Sequence, residues 1–149
     1  MTEEALNLPP TDIESAWPKY PGYVITATPF DGVGRAAVGG VVVAESTACL
    51  VVAESDHRDQ LYFPAADVRW EHLTPTDTHT ICPFKGHASY WSVTVDGRTL
   101  DDVAWSYEDP FDEVAPITGH VAFYAHRVDV TLVERRDGAT GEVVHHFPR

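Results

Sequence analysis

The chain has 149 residues, 44% hydrophobic and 11% aromatic, with ten Lys and Arg against 23 Asp and Glu and a formal net charge of −13. That length fits one domain with one core, since a chain of this size buries roughly 70% of its unfolded surface, and the aromatic content excludes a disordered chain. So few bases among so many acids exclude a nucleic-acid backbone as partner and disfavour anionic membrane surfaces.

The charge is uneven: Asp96 to Glu113 holds seven acids and a single base, Arg98. The plain reading is a solvated face that keeps the protein soluble; the sharper one is a surface for a cation or a metal. Cys49 and Cys82 are too few for a disulfide framework or a four-thiolate zinc site, so a reduced cytosolic pair and a cytoplasmic location are expected. The acidic N-terminus, with Pro9 and Pro10, does not read as a secretory signal, and no apolar run approaches the ~18 residues of a membrane span.

In chain order, residues 1–22 read as an extension, because Leu8-Pro9-Pro10, Trp17-Pro18 and Tyr20-Pro21-Gly22 interrupt regular structure. Such a segment could drape Trp17 and Tyr20 over the domain. Tyr23-Val24-Ile25-Thr26 begins the strands. Arg35 to Val38 and Val41 to Ala44 flank Gly39-Gly40, a two-residue hairpin signal. Cys49 to Val52 and Leu61 to Phe63 are short apolar runs, the second stopped by Pro64, and Ala65 to Trp70 suits one helical turn or an irregular strand. Tyr90 to Val95 alternates, with Trp91, Val93 and Val95 on one face and Tyr90, Ser92 and Thr94 on the other. Asp96-Gly97 then turns the chain into Arg98 to Tyr107. Phe111 to Tyr124 is the best helix candidate, but Pro116 and Gly119 break it. Val128, Val130 and Leu132 alternate, and Asp137-Gly138 turns toward Val143 to Phe147. The pattern predicts an all-β antiparallel fold, open barrel or sandwich-like, with tight glycine turns.

Cys82-Pro83-Phe84-Lys85-Gly86 is where chemistry concentrates. Pro83 presets its own φ for a tight turn and Gly86 can close it. That places Lys85 at or near the tip, three residues from Cys82. An ammonium beside a thiol favours the thiolate, so Cys82 and Lys85 are the candidate catalytic pair. The alternatives are a ligand-binding Lys85 with Cys82 packed beside it, or a buried cysteine with a solvated lysine. Tyr90, Trp91, Trp105 and Tyr107 supply aromatic walls of the kind that small-ligand pockets use, although tryptophans are as readily core residues. His87 follows the bend directly and suits a general acid–base role. The remaining histidines are scattered, and His145-His146 sets two rings on opposite sides of a strand, so no metal site is expected. Asp31-Gly32-Val33-Gly34 lacks the Lys-Ser or Lys-Thr ending of a phosphate loop. Glu45, Glu54 and Asp67 border apolar strands and need partners, for which Lys85 and Arg69 are the available cations.

These segments together resemble a known family. Val38-Gly39-Gly40, Ala44-Glu45-Ser46, Glu54, Tyr62-Phe63-Pro64, Asp67-Val68, Cys82 to Gly86, Ala88 to Trp91, Ala104-Trp105-Ser106-Tyr107, Pro110 and Gly119 to Tyr124 follow in the order seen in the bacterial and fungal family catalogued as domain of unknown function 427. The resemblance spans residues 35–133. It implies a small β-tent-like fold. Some β-tent relatives bind zinc through paired Cys-x-x-Cys elements, which this chain lacks; others hold small molecules in an aromatic cage, which Trp91, Trp105 and Tyr107 suit. A label attached to the family alludes to nucleotidyl transfer, but the paired aspartates and Gly-Ser loop of that chemistry are missing. The resemblance divides the chain into an extension at 1–29, a family-like β domain at 30–135 and a C-terminal turn and strand at 136–149.

Three readings compete. In the first, the chain binds an unknown small molecule, with Lys85 meeting an anionic or carbonyl group, Glu54 and Tyr62 orienting it, and Tyr90, Trp91, Trp105 and Tyr107 as walls. In the second, Cys82 is a nucleophile tuned by Lys85, with His87 or Glu54 moving protons. In the third, the aromatics are core and the domain is structural or binds a partner. No cofactor is expected, and a homodimer stays open.

Overall fold

Two tight turns set the frame. Gly39 and Gly40 have φ of 55° and 80°, so both sit in the left-handed region that a two-residue hairpin turn with the right twist demands. Asp96 and Gly97 repeat this with φ of 52° and 76°. The first turn joins β2 (Gly32–Val38) to β3 (Val41–Ser46), and the second joins β7 (Gly86–Val95) to β8 (Arg98–Ser106). Both hairpins fall where the sequence predicts them.

The computed structural model describes residues 14–135 and 143–149. Among these, the other strands are β1 (Ile25–Pro29), β4 (Leu50–Glu54), β5 (Gln60–Tyr62), β6 (Leu73–Cys82), β9 (Val121–Phe123), β10 (Asp129–Glu134) and β11 (Val144–His146). They form three antiparallel sheets, ordered β1-β4-β5, β11-β10-β2-β3 and β6-β7-β8-β9, without closing into a barrel. The all-β expectation is thus met. Leu8-Pro9-Pro10 and the Asp137-Gly138 turn lie outside the described residues. No helix among the described residues is long and apolar enough to cross a membrane.

Where the sequence allows one helical turn, Ala65–Asp67 makes a 3-10 turn, and the broken helix candidate yields a short 3-10 segment at Asp112–Ile117 before β9. Gly32 and Gly34, which superficially suggest a phosphate loop, lie inside β2 and serve packing. A Cβ on Gly32 would lie 2.3 Å from the Val133 carbonyl oxygen, and one on Gly34 would lie 2.3 Å from the Cys49 sulfur.

The buried apolar residues divide into two clusters. One holds Val43, Leu61, Phe63, Val93, Phe123 and Leu132. The other holds Leu50, Val52, Tyr62, Tyr90, Trp105, Tyr107 and Ile117. Strand alternation separates them: Val93 and Val95 enter the first cluster, while Ala88 and Tyr90 enter the second. Phe63 and Val121 exchange backbone hydrogen bonds of 2.8 Å, which tie the β1-β4-β5 sheet to the edge of the β6-β9 sheet. The second cluster lines the angle between those two sheets, and its most polar members face a cleft.

Candidate functional site

The cleft begins at the bend between β6 and β7. Cys82 pairs with Gly86 across it, leaving Pro83, Phe84 and Lys85 as the loop, and Gly86 takes φ of 113°. Phe84 is held from outside. Its ring stacks on Tyr23 at 3.8 Å and meets Trp17 edge-on at 5.2 Å. The Trp17 Nε1–H donates to the Phe84 carbonyl at 2.7 Å, and the Ala16 N–H donates to the Pro83 carbonyl at 3.0 Å. With Phe84 clamped on that side, Lys85 turns inward.

Lys85 is therefore not the solvated tip residue that the bend alone suggests: it is only 8% exposed. Its ammonium forms a salt bridge with Glu54 Oε1 at the end of β4, and the Tyr23 hydroxyl donates to Glu54 Oε2. Lys85 Nζ also lies 3.9 Å from Cys82 Sγ and 6.0 Å from the centre of the Tyr107 ring. Burial raises the pKa of the Tyr23 hydroxyl above the ordinary phenol range, and its bond to the Glu54 carboxylate adds to the shift. His57 Nε2 stands 3.9 Å from Glu54 Oε2 on the exposed side.

Opposite the ion pair the wall is aromatic. Trp105 Nε1–H donates to the Tyr62 hydroxyl at 3.3 Å, and the two rings meet edge-on. Trp105 also lies against Tyr124, ring centres 4.4 Å apart. The Tyr90 hydroxyl lies 3.0 Å from Thr80 Oγ1 and 3.4 Å from the Tyr124 hydroxyl. Burial pushes the Tyr62 and Tyr107 hydroxyls far above ordinary phenol values. The cleft has a volume of about 750 Å³, within the range of small-molecule sites.

Of the residues singled out from sequence, Cys82, Lys85, Glu54, Tyr62, Tyr90, Trp105 and Tyr107 all line this one cleft. Trp91 and His87 do not. Trp91 packs on the other cluster, 5.5 Å from Trp70, and His87 stacks on His79 at 4.8 Å. The reason is parity. Tyr90 pairs directly with Trp105, and Trp91 with Ala104, so the two indoles occupy opposite faces of the sheet. Stepping in pairs from the two-residue turn places Trp105 on the Tyr90 face, so the signal was present in the sequence. Phe84 of the bend lines the cleft as well, and so do Tyr23, Tyr124 and Arg58; these last three come from distant segments, and nothing local in the sequence points them to it. Of the other acids, Glu45 pairs with Arg35 at 2.6 Å and Asp67 accepts from Ser46 Oγ at 2.6 Å. Among the described residues, no three or more His, Cys, Asp and Glu side chains gather in a geometry able to hold a metal ion.

The molecule is an open assembly of antiparallel sheets with a polar-floored aromatic cleft at the junction of two of them. The chain belongs to the family described as Domain of unknown function (DUF427), whose family model matches residues 27–134. No curated protein matches it.

Proposed function

We propose that the chain is a small-molecule-binding β protein whose cleft beneath the Cys82–Gly86 bend takes an organic ligand against the Trp105 wall. One observation carries this reading: a buried Lys85–Glu54 ion pair forms the floor of a 750 Å³ aromatic cleft. A buried pair gives little net stability over apolar residues of the same shape, so its placement at the base of an open cleft favours recognition over scaffolding. Lys85 and the phenols orient the ligand, and Trp105 and Tyr124 supply the apolar surface. Free Cys49 and Cys82 fit a reducing, cytoplasmic setting. A second reading, Cys82 as a nucleophile, is supported by its 3.9 Å separation from Lys85 Nζ.

One experiment separates the two. The native protein is titrated with a metabolite library while tryptophan fluorescence and intact mass are followed on the same samples. Reversible quenching that disappears in the Lys85→Met/Glu54→Gln double variant supports binding, because removing both charges together leaves neither one buried alone. A covalent adduct that disappears in Cys82→Ala supports the nucleophile. A ligand that binds the double variant as well as the native chain rules out the binding reading, and silence across the library leaves a structural role.

A further inference from the structure

We infer that the cleft selects an uncharged, flat organic molecule with a carbonyl-type oxygen, which accepts hydrogen bonds from the Tyr107 and Tyr62 hydroxyls and Lys85; this rests on the binding reading above. The first argument is charge. The cleft holds the carboxylates of Glu54 and Asp56 and the cations of Lys85 and Arg58, with His57 beside Glu54. A bound anion gains from Lys85 but is desolvated beside Glu54, and a bound cation meets the converse. Neither sign is favoured, so each loses its hydration without a net electrostatic return.

The second argument is the balance of donors and acceptors. Both oxygens of Glu54 are engaged, one by Lys85 and the other by Tyr23. Lys85 has three N–H donors; one reaches Glu54 and another is directed at the Cys82 sulfur, which leaves one. The Tyr62 oxygen accepts from Trp105, while its own hydrogen finds no acceptor among the described residues. The Tyr107 hydroxyl lines the cleft with no hydrogen-bond partner among the described residues. The hydrogens of the Tyr62 and Tyr107 hydroxyls and the remaining one of Lys85 are thus open to an acceptor, which a carbonyl oxygen supplies. Burial raises both phenols above the ordinary range, so both keep their hydrogens as donors at neutral pH. Trp105 set against Tyr124 adds an aromatic surface suited to a planar group.

The test uses three probes of similar size: N,N-dimethylbenzamide, which has a carbonyl oxygen and no N–H, benzoate, and benzyltrimethylammonium. Binding is read by NMR chemical-shift titration at about pH 8, where an ordinary imidazole is neutral. The native chain is expected to bind the amide about tenfold more tightly than either ion. Tyr107→Phe is expected to weaken the amide about fivefold, the worth of one hydrogen bond, with the urea midpoint unchanged. Tyr62→Phe serves as the second variant. If either ion binds more tightly than the amide, or if both phenylalanine variants keep full amide affinity, the inference fails while the binding reading stands. If no probe shifts any cleft resonance, the binding reading fails with it.

Discussion

Lys85 shows how one side chain's direction changes what a loop does. Turn geometry alone sends it to solvent; the clamp on Phe84 and the carboxylate of Glu54 bring it inside. The side chains of Lys85 and Glu54 are 10% and 11% exposed, so each is close to a buried charge. Removing one partner of such a pair leaves the other uncompensated, which costs about 3 kcal/mol. Glu54→Gln and Lys85→Met are each expected to lower unfolding stability by about that much. The double variant should lose less than the sum, because no lone charge remains. Urea denaturation of the four proteins measures the cycle. Additive losses would mean that the two groups do not act as a pair.

At the scale of elements, the glycines of β2 and of its hairpin turn perform different tasks. Gly40 has φ of 80° and open space around it, so an alanine there meets only the torsional penalty of the left-handed region, about 1 kcal/mol. Gly34 has ordinary backbone angles but lies against Cys49 and Leu61, so an added methyl overpacks the core and costs about 2 kcal/mol. Gly32 faces the Val133 backbone, which cannot move without disturbing the β2–β10 pairing. The expected order of melting temperatures is therefore native, then Gly40→Ala, then Gly34→Ala and Gly32→Ala together. Thermal unfolding followed by circular dichroism checks it, and a Gly34→Ala protein as stable as the native chain would contradict the packing. Periodicity made these strands legible, because alternation and turn residues are local properties. It did not show that β2 needs glycine for close approach, since the atoms in the way belong to Val133 and Cys49, far along the chain.

For the whole molecule, the buried ionisable groups fix the alkaline limit. Burial pushes the Cys49 thiol from its ordinary 9.0 up to about 12. Tyr124, although 36% exposed, is raised to about 12 by partial burial and its contact with the Tyr90 hydroxyl, and Tyr23, Tyr62 and Tyr107 are raised still further. In the unfolded chain these groups release protons near pH 9 to 10. Above that, the folded state holds more protons than the unfolded one, so stability falls as pH rises. The stability they contribute is complete below about pH 9 and declines steadily toward pH 12. Urea midpoints taken across this range, with tyrosinate absorbance recorded in parallel, are expected to show ionisation accompanying unfolding. Free ionisation of all the tyrosines near pH 10 in a still-folded protein would contradict the burial described here.

By itself the sequence determined most of the strands, the two glycine turns, the bend at Cys82 to Gly86 and the family, because each is written in neighbouring residues and their alternation. It did not mark out β6 as a strand, and β9 falls inside the stretch read as the best helix candidate. Seven of the residues it singled out meet in one cleft. Tertiary structure decided which rings share that hollow. Trp91 and Trp105 are divided by the two faces of a sheet. Glu54 reaches Lys85 across 31 residues, and Tyr23 and Tyr124 arrive from separate segments. Local periodicity tells which side chains lie on the same side of a strand, but not which sheet will pack opposite. That is set by long-range burial, and the inward turn of Lys85 follows from it.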